Sequence, residues 1–281
     1  MKMHWVAIAA LAVSPAWMLA SDGTFDKTLH VSGTPTLSVN TGSGYIHVTP
    51  GSDNEIHIIG HVHAGRWGGG DGSPEERVKE VVANPPIEQS GNTITVGKHM
   101  SYHNISIDYE VTTPKGTNLE ASSGSGDLRI SDLGGSLKAN TGSGSIEANG
   151  LSGRVTLETG SGDIRADMHA APDVKAQTGS GNIRLRGVNG GLFAGTGSGD
   201  IEIDGQPGSN WKLETGSGSV TLNTGGTAKF SLDATTGSGT IHSDTPITVH
   251  GSLERHHIMG DVNGGGVTVR VETGSGDIRI H

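Results

Sequence analysis

Apolar and polar residues alternate along most of the chain, in short runs separated by glycine-rich turns. The segment Val155-Thr-Leu157, before one such turn, has apolar side chains at every second position, and Ile164-Arg-Ala166 follows the same pattern after the turn. Alternation with a period of two predicts β-strands that bury one face. Each unit of the pattern therefore contains two short strands on either side of a Gly-Ser-Gly turn.

The turn phrase, Thr or Ser followed by Gly-Ser-Gly, occurs nine times. It begins at Thr41, Ser123, Thr141, Thr159, Thr178, Thr196, Thr215, Thr236 and Thr273. From Ser123 the steps are 18, 18, 19, 18, 19, 21 and 37 residues, and His257–Val262 is interpreted as a degraded copy inside the last interval. The first residue of each phrase has the parity of the buried strand residues, so we expect it to point inward at a corner and to serve as a structural turn residue.

This repeat predicts an all-β, single-chain parallel β-solenoid with two short strands in each coil of about 18 residues. One unit cannot bury its apolar face alone, but coils stacked ~4.8 Å apart would share a thin continuous core. A three-sided helix built on hexapeptides does not fit, because the six-residue positions after Ile146 are Ser152 and Glu158. We expect the turn glycines to supply positive φ angles and to allow close approach between coils.

The repeats predict one domain with two parts. Residues 116–281 form regular coils, and residues 21–115 form an irregular N-terminal part that caps one end. Within that part, Ser73-Pro74-Glu75-Glu76 is a capping box that predicts a short helix over about 74–83, and strands are expected over 55–63, 87–96 and 105–113. Because the sequence stops inside a repeat at His281, we also predict an uncapped C-terminal coil that self-associates end to end.

Residues 1–20 have the features of a signal peptide, with Lys2 before an apolar stretch and small residues at two candidate cleavage sites, Ala16 and Ala20. The apolar stretch is too short for a comfortable membrane span. The expected location is the periplasm or the cell surface. The chain has no cysteine, so neither disulfides nor a lipid-modified cysteine is expected.

The composition narrows the classes of partner. Glycine accounts for 47 residues and hydrophobic residues for 32%, which suits a thin core better than a thick one. The formal net charge of −10 argues against nucleic acid and anionic lipid surfaces as partners. The expected ligand is therefore an unidentified glycan or protein of the surface or envelope.

Acidic residues recur in the turns, at Asp127, Asp163, Asp200 and Asp277. A calcium site of the β-roll type is disfavoured because other coils have Ser or Asn at this position, so oxygen ligands do not form a continuous cage. Asp163 and Asp200 lie two coils apart, near the upper separation for an inverting carboxylate pair, but no long loop builds a cleft beside them. We therefore predict no catalytic, metal or cofactor residues and interpret these side chains as partners for backbone N–H groups.

Histidine is abundant, with 14 residues, and His57, His61 and His63 share one face of a predicted strand. Zinc or copper would need these ligands to converge, whereas alternate residues of a strand are nearly 7 Å apart. The pair His256-His257 lies in the degraded copy. Exposed strand histidines are the simpler interpretation. An ice-binding threonine face is also disfavoured, since the repeated threonines are expected to point inward.

The phrase Glu158-Thr-Gly-Ser-Gly-Asp-Ile-Arg165, repeated after a section that ends in Val111-Thr-Thr-Pro114-Lys-Gly116, resembles a bacterial family of unknown function catalogued as putative adhesins with β-strand repeats. The resemblance covers nearly the whole chain after residue 20. It implies a cell-envelope β-solenoid without known catalysis, and it brings no defined site residues. The expected function is non-enzymatic surface binding. The alternative is a periplasmic structural or envelope-stress-related protein, and a polysaccharide-active enzyme is the least favoured hypothesis.

Overall fold

The computed structural model describes residues 21–65, 73–98, 104–169, 171–250 and 254–281. The predicted signal peptide lies outside the described residues. The N-terminal part contains β1 (Ser21–His30), β2 (Thr36–Thr41), β3 (Ile46–Pro50), β4 (Glu55–Ala64), α1 (Pro74–Ala83), β5 (Ile87–Ser90), β6 (Thr93–Val96) and β7 (Ile105–Thr113).

The regular repeats follow as pairs of short strands. They are β8 (Asn118–Ser123), β9 (Leu128–Ser131), β10 (Leu137–Thr141), β11 (Ile146–Leu151), β12 (Val155–Thr159), β13 (Ile164–Met168), β14 (Asp173–Thr178), β15 (Ile183–Val188), β16 (Gly191–Ser198), β17 (Ile201–Gly205), β18 (Trp211–Ser217) and β19 (Val220–Asn223). The C-terminal part contains β20 (Phe230–Ser238), β21 (Ile241–Ser243), β22 (Ile247–Val249), β23 (His257–Val262), β24 (Val267–Ser275) and β25 (Ile278–Ile280).

The strands form two long sheets around one apolar core. The first sheet has 12 strands in the order β1-β4-β7-β3-β9-β11-β13-β15-β17-β19-β25-β21, and the second has 13 in the order β22-β23-β20-β24-β18-β16-β14-β12-β10-β8-β2-β6-β5. Each coil gives one strand to each sheet. The predicted all-β parallel solenoid with two strands per coil is therefore confirmed.

Neighbouring coils are parallel and in register over the repeats. Leu157 lies beside Ala139 and Ala176, and Ile164 lies beside Ile146 in the adjoining coil. All of these side chains are almost completely buried. Repetition of the apolar positions thus produces continuous columns inside the solenoid, which is how short strands with few apolar residues share a core.

Antiparallel strands and a helix close the N-terminal end. In the first sheet β4 runs antiparallel between β7 and β1, and in the second sheet β5 runs antiparallel to β6. Helix α1 begins with a capping box at Ser73 and buries Val78 and Val81. The prediction of a single strand over 87–96 is wrong, because Gly91, with a φ of +60°, turns the chain between β5 and β6.

The order of coils in space differs from the order in the sequence at both ends. The coil of β2 and β3 lies between the coil of β6 and β7 and that of β8 and β9. The coil of β24 and β25 lies between β18 and β20 in one sheet and between β19 and β21 in the other. The expectation that the C-terminal coil forms a bare end is therefore wrong. Val271 and Ile278 of this coil have no exposed surface.

At the far end of the solenoid the second sheet is closed by antiparallel strands, whereas the first sheet ends in β21, which pairs parallel with β25. Strand β23 pairs antiparallel with β20, and β22 pairs antiparallel with β23. The interpretation of His257–Val262 as a degraded coil is also wrong, because this segment has no partner strand in the first sheet and runs against its neighbours. This arrangement explains the coil order. One side of β20 is paired with the antiparallel strand β23, so the C-terminal coil can pair with β20 only on its other side, next to β18. Over the described ranges, the only helix is too short and too polar to cross a membrane.

Candidate binding surfaces

The repeated threonine at each turn joins one coil to the next. The Thr159 hydroxyl donates a hydrogen bond to the Gly144 carbonyl of the adjoining coil at 2.8 Å and accepts one from the Gly162 N–H of its own turn at 3.2 Å. Ser123, Thr141, Thr178, Thr196, Thr215, Thr236 and Thr273 likewise donate to a turn glycine of an adjoining coil. Thr41 is half-buried and donates to the Ile107 carbonyl. These side chains are occupied in the stack and are not available as an outward binding face.

The last glycine of the turn phrase is required by close packing between coils. A Cβ atom on Gly162 would lie 1.9 Å from the carbonyl oxygen of Gly144. The φ angle of Gly162 is not positive. The expectation that these glycines are needed for positive φ is therefore wrong at this turn, whereas the expected close approach is correct.

The acidic turn residues also join neighbouring coils. Asp163 Oδ1 accepts a hydrogen bond from the Asn182 backbone N–H at 2.9 Å, and Asp200 Oδ1 accepts one from the Ser219 N–H at 2.8 Å. Hydrogen bonds from the Thr240 N–H and hydroxyl lower the pKa of Asp277. No group of three His, Cys, Asp or Glu side chains suited to a metal is found in the part of the chain that the structure describes. The turn carboxylates therefore act as acceptors for the backbone of the next coil.

Histidine–carboxylate pairs cover the outward face of the N-terminal cap. His63, on β4, lies between Asp22 of β1 and Asp108 of β7, with N···O distances of 2.9 and 3.2 Å. The hydrogen bond to Asp22 is the largest cause of the raised pKa of His63, and burial opposes it. His57 contacts Asp26 at 2.7 Å and His61 lies 3.7 Å from Glu110. The three histidines of β4 therefore contact separate carboxylates and do not converge on one point.

The C-terminal end carries similar pairs. Asp244 accepts hydrogen bonds from His281 at 2.6 Å and from His242 at 2.9 Å, and both lower the pKa of this carboxyl. His257 contacts Asp233 at 3.0 Å. The two clusters of histidine–carboxylate pairs thus lie at opposite ends of the solenoid, on the parts that close it.

The outward side of the first sheet over β9, β11, β13, β15, β17, β19 and β25 is named the charged face. Its central column contains Arg129, Glu147, Arg165, Arg184, Glu202, Thr221 and Arg279. Opposite charges neighbour each other at three of the six steps, as in the Arg129–Glu147 pair, whose N···O distance is 3.6 Å. Arg165 and Arg184 are the one pair of like charges in the column, since they lie side by side in register.

A shallow depression of about 310 Å³ lies on the charged face. Its lining includes Arg165, Arg184, Glu202, Thr221 and Arg279. Thr221 has a shorter side chain than its neighbours in the column. Arg279 reaches this place only because β25 is inserted beside β19, so the sequence order does not reveal that Arg279 and Thr221 are neighbours.

The outward side of the second sheet carries further ion pairs and one aromatic ring. Lys175 contacts Glu158 at 2.6 Å. Phe193 lies next to Gly195, whose missing side chain leaves room for the ring, and the Lys212 ammonium is 5.9 Å from the ring centroid. These contacts cover the backbone at Gly195.

The fold and surfaces define a capped β-solenoid whose turns are used for stacking and whose broad faces are polar. Residues 84–281 match the family model described as Toastrack DUF4097. This match covers well over half of the chain, and the chain belongs to that family. No curated protein matches the chain.

Three solved structures illustrate the similarity to known folds. A putative adhesin from Bacteroides fragilis is 12% identical, with 92% of this chain and 97% of that chain covered and a TM-score of 0.43. A putative cell adhesion protein from Clostridium sporogenes is 13% identical, with 92% and 99% covered and a TM-score of 0.28. A putative adhesin from Parabacteroides merdae is 10% identical, with 92% and 96% covered and a TM-score of 0.28.

Proposed function

We propose that this chain is an exported, non-enzymatic protein of the bacterial cell envelope that binds a surface ligand through its charged face. The observation that carries the proposal is that the turn side chains are used for stacking the coils, whereas side chains of the charged face are open to solvent. The turn residues Thr159 and Asp163 are engaged by the adjoining coils, whereas side chains of the charged face such as Arg165 and Arg184 are about half exposed, at 53% and 48%.

The arrangement supports binding better than catalysis. Asp163 and Asp200, the carboxylates considered for glycoside hydrolysis, each accept a backbone N–H and are separated by Asn182. The depression beside them is shallow and open, whereas general acid catalysis on a glycan needs a carboxyl group kept protonated by burial or by a neighbouring carboxylate. Adhesion is also consistent with the names of the similar solved structures.

The experiment that tests this proposal is protease digestion of an epitope-tagged full chain on intact cells, compared with cells whose outer membrane has been permeabilised. Digestion on intact cells is the expected result. Protection until permeabilisation would overturn direct adhesion and favour the alternative of a periplasmic structural or stress-related protein. A tagged periplasmic protein that remains protected on the same intact cells is the control.

A further inference from the structure

Arg165 and Arg184 are in register on the neighbouring parallel strands β13 and β15. Like charges directly opposite each other destabilise a sheet, whereas the Arg129–Glu147 pair of the same column is attractive. Each arginine also neighbours a glutamate on its other side, Glu147 for Arg165 and Glu202 for Arg184, so this step is the one like-charged pair in the column. We name the Arg165–Arg184 step and the side chains around it the arginine seam.

The two guanidinium groups pair with different carboxylates. Arg165 Nη2 donates to Asp163 Oδ2 at 2.8 Å, on its own coil. Arg184 Nε donates to Glu202 Oε2 on the next coil at 2.7 Å, and its Nη2 lies 2.6 Å from the same oxygen. A guanidinium has five N–H donors, and these bonds use only one or two of them. N–H donors of both residues thus remain unused by these carboxylates.

Two depressions of the charged face meet at the arginine seam. One, of about 310 Å³, is lined by both arginines together with Arg279, Asp200, Glu202 and neutral polar side chains. The other, of about 210 Å³, is lined by both arginines together with Arg186, Glu147 and Asp167. Each lining therefore contains three arginines and two carboxylates. The arginine seam is therefore the border that the two depressions share, and the seam together with both depressions is named the strip.

The chemistry of the strip indicates the class of ligand. The isoleucines beneath it, Ile164, Ile183 and Ile201, are buried, and the side chains that reach the surface are charged or neutral polar groups. Protein partners usually bind through aromatic or apolar anchors at the centre of an interface, which this strip does not offer. Hydroxyl groups of a saccharide, in contrast, can pair with amide, hydroxyl and carboxylate side chains at each coil.

We propose that the arginine seam binds a polysaccharide that carries carboxylate groups, with one carboxylate held between Arg165 and Arg184. Arginine donates paired hydrogen bonds to a carboxylate in a fixed planar geometry, and such charge-assisted bonds are stronger than neutral ones. This inference rests on the proposed function and names the ligand class for the charged face. The net charge of −10 disfavours non-specific attraction of polyanions, so retention of an acidic polysaccharide would report the local site.

The test is binding of the full chain to immobilised polygalacturonate, a polymer of carboxylated sugars, with dextran as a neutral polysaccharide and polyglutamate as a carboxylated peptide. We expect binding to polygalacturonate alone. Arg165→Gln and Arg184→Gln should each weaken it by about tenfold or more, since each removes charge-assisted hydrogen bonds. Arg270→Gln is the matched control, because Arg270 lies on the outward side of the second sheet, outside the charged face, is 53% exposed and pairs with Glu272. It should leave binding unchanged.

Several results would overturn the inference: no binding to polygalacturonate, equal binding to dextran or polyglutamate, or equal loss in the Arg270→Gln variant. Circular dichroism checks that each variant keeps its fold, which we expect because the substituted side chains are exposed. If the chain is digested on intact cells but does not bind polygalacturonate, the ligand class is wrong and the proposed surface location is retained. Binding by a chain that is protected on intact cells would overturn direct adhesion and retain the site.

Discussion

Thr215 lies directly beside Thr273 in the second sheet, although the coil of Thr236 separates them in the sequence. Thr273 in turn lies beside Thr236, so the C-terminal coil is held between two earlier coils. Antiparallel strands close both ends of the second sheet and the N-terminal end of the first, and the coil of Thr273 is an internal part of the core.

Deletion of residues 264–281 tests this insertion. The deletion removes a coil that pairs with β18 and β19 on one side and with β20 and β21 on the other. We expect amide hydrogen exchange to show loss of protection in β18 to β21, because these strands lose their neighbours, whereas β10 to β13 stay protected. Retained protection in β20 and β21 would contradict the inserted position.

Substitution of the turn glycine Gly162 by alanine tests the close packing of coils. The added Cβ would lie 1.9 Å from the Gly144 carbonyl oxygen, so the coils must move apart. We expect the free energy of unfolding to fall by about 2 kcal/mol or more, the range for forced overpacking. Gly226→Ala is the control, since no atom lies within 4 Å of its Cβ. Equal denaturation midpoints for the two variants would refute the packing role.

Thr159→Val tests the hydroxyl link between coils. The variant keeps the side-chain shape but leaves the Gly144 carbonyl and the Gly162 N–H without this partner. We expect a loss of about 1–3 kcal/mol in the free energy of unfolding, the cost of unsatisfied buried groups. Thr156→Val, on the outward side of the same strand, should change stability far less, and chemical denaturation of both variants gives the comparison. Comparable losses would argue against the link.

The raised pKa of His63 predicts how the stability of the N-terminal cap depends on pH. Protonated His63 is stabilised by Asp22 and Asp108, so its contribution is fully present below the ordinary pKa of 6.5 and is lost as the pH rises through the raised pKa of the folded state. The melting temperatures of the native chain and of His63→Gln should therefore differ more at about pH 5.5 than at about pH 8.5.

His169→Gln provides the control for this pH experiment, because His169 is exposed on the solenoid away from both caps. Its melting temperature should follow that of the native chain at both pH values. A larger effect of His63→Gln at the higher pH would contradict the predicted sign.

The sequence predicts the repeating part of the fold well because its signals are local. Alternation around Leu157 identifies the buried side of a strand, and the parity of Thr159 places its hydroxyl inside. The like-charged neighbours Arg165 and Arg184 are also visible in the repeat, because each follows the first apolar residue of its strand. Comparison of equivalent positions in successive repeats therefore identifies the candidate site from the sequence.

The order of the outer coils could not be predicted in the same way. The phrases at Thr215, Thr236 and Thr273 are nearly interchangeable, so each could stack on either of the others with the same register. The irregular segment before Thr273 contains the signal that decides the order, since His257–Val262 pairs antiparallel with β20 and blocks that side. The position of Arg279 at the candidate site depends on this order, so the sequence did not predict it either.

The inserted C-terminal coil also has a mechanical consequence. Strand β25 is bonded on both sides, and beyond it the His281 N–H donates to the Leu222 carbonyl at 2.8 Å while the His281 carbonyl accepts from the Thr224 N–H at 3.0 Å. An edge strand can be peeled away one hydrogen bond at a time, but a strand held between two others must break both rows together. Tension applied at His281 along the strand would therefore load the solenoid in shear, the direction in which paired strands resist rupture most strongly.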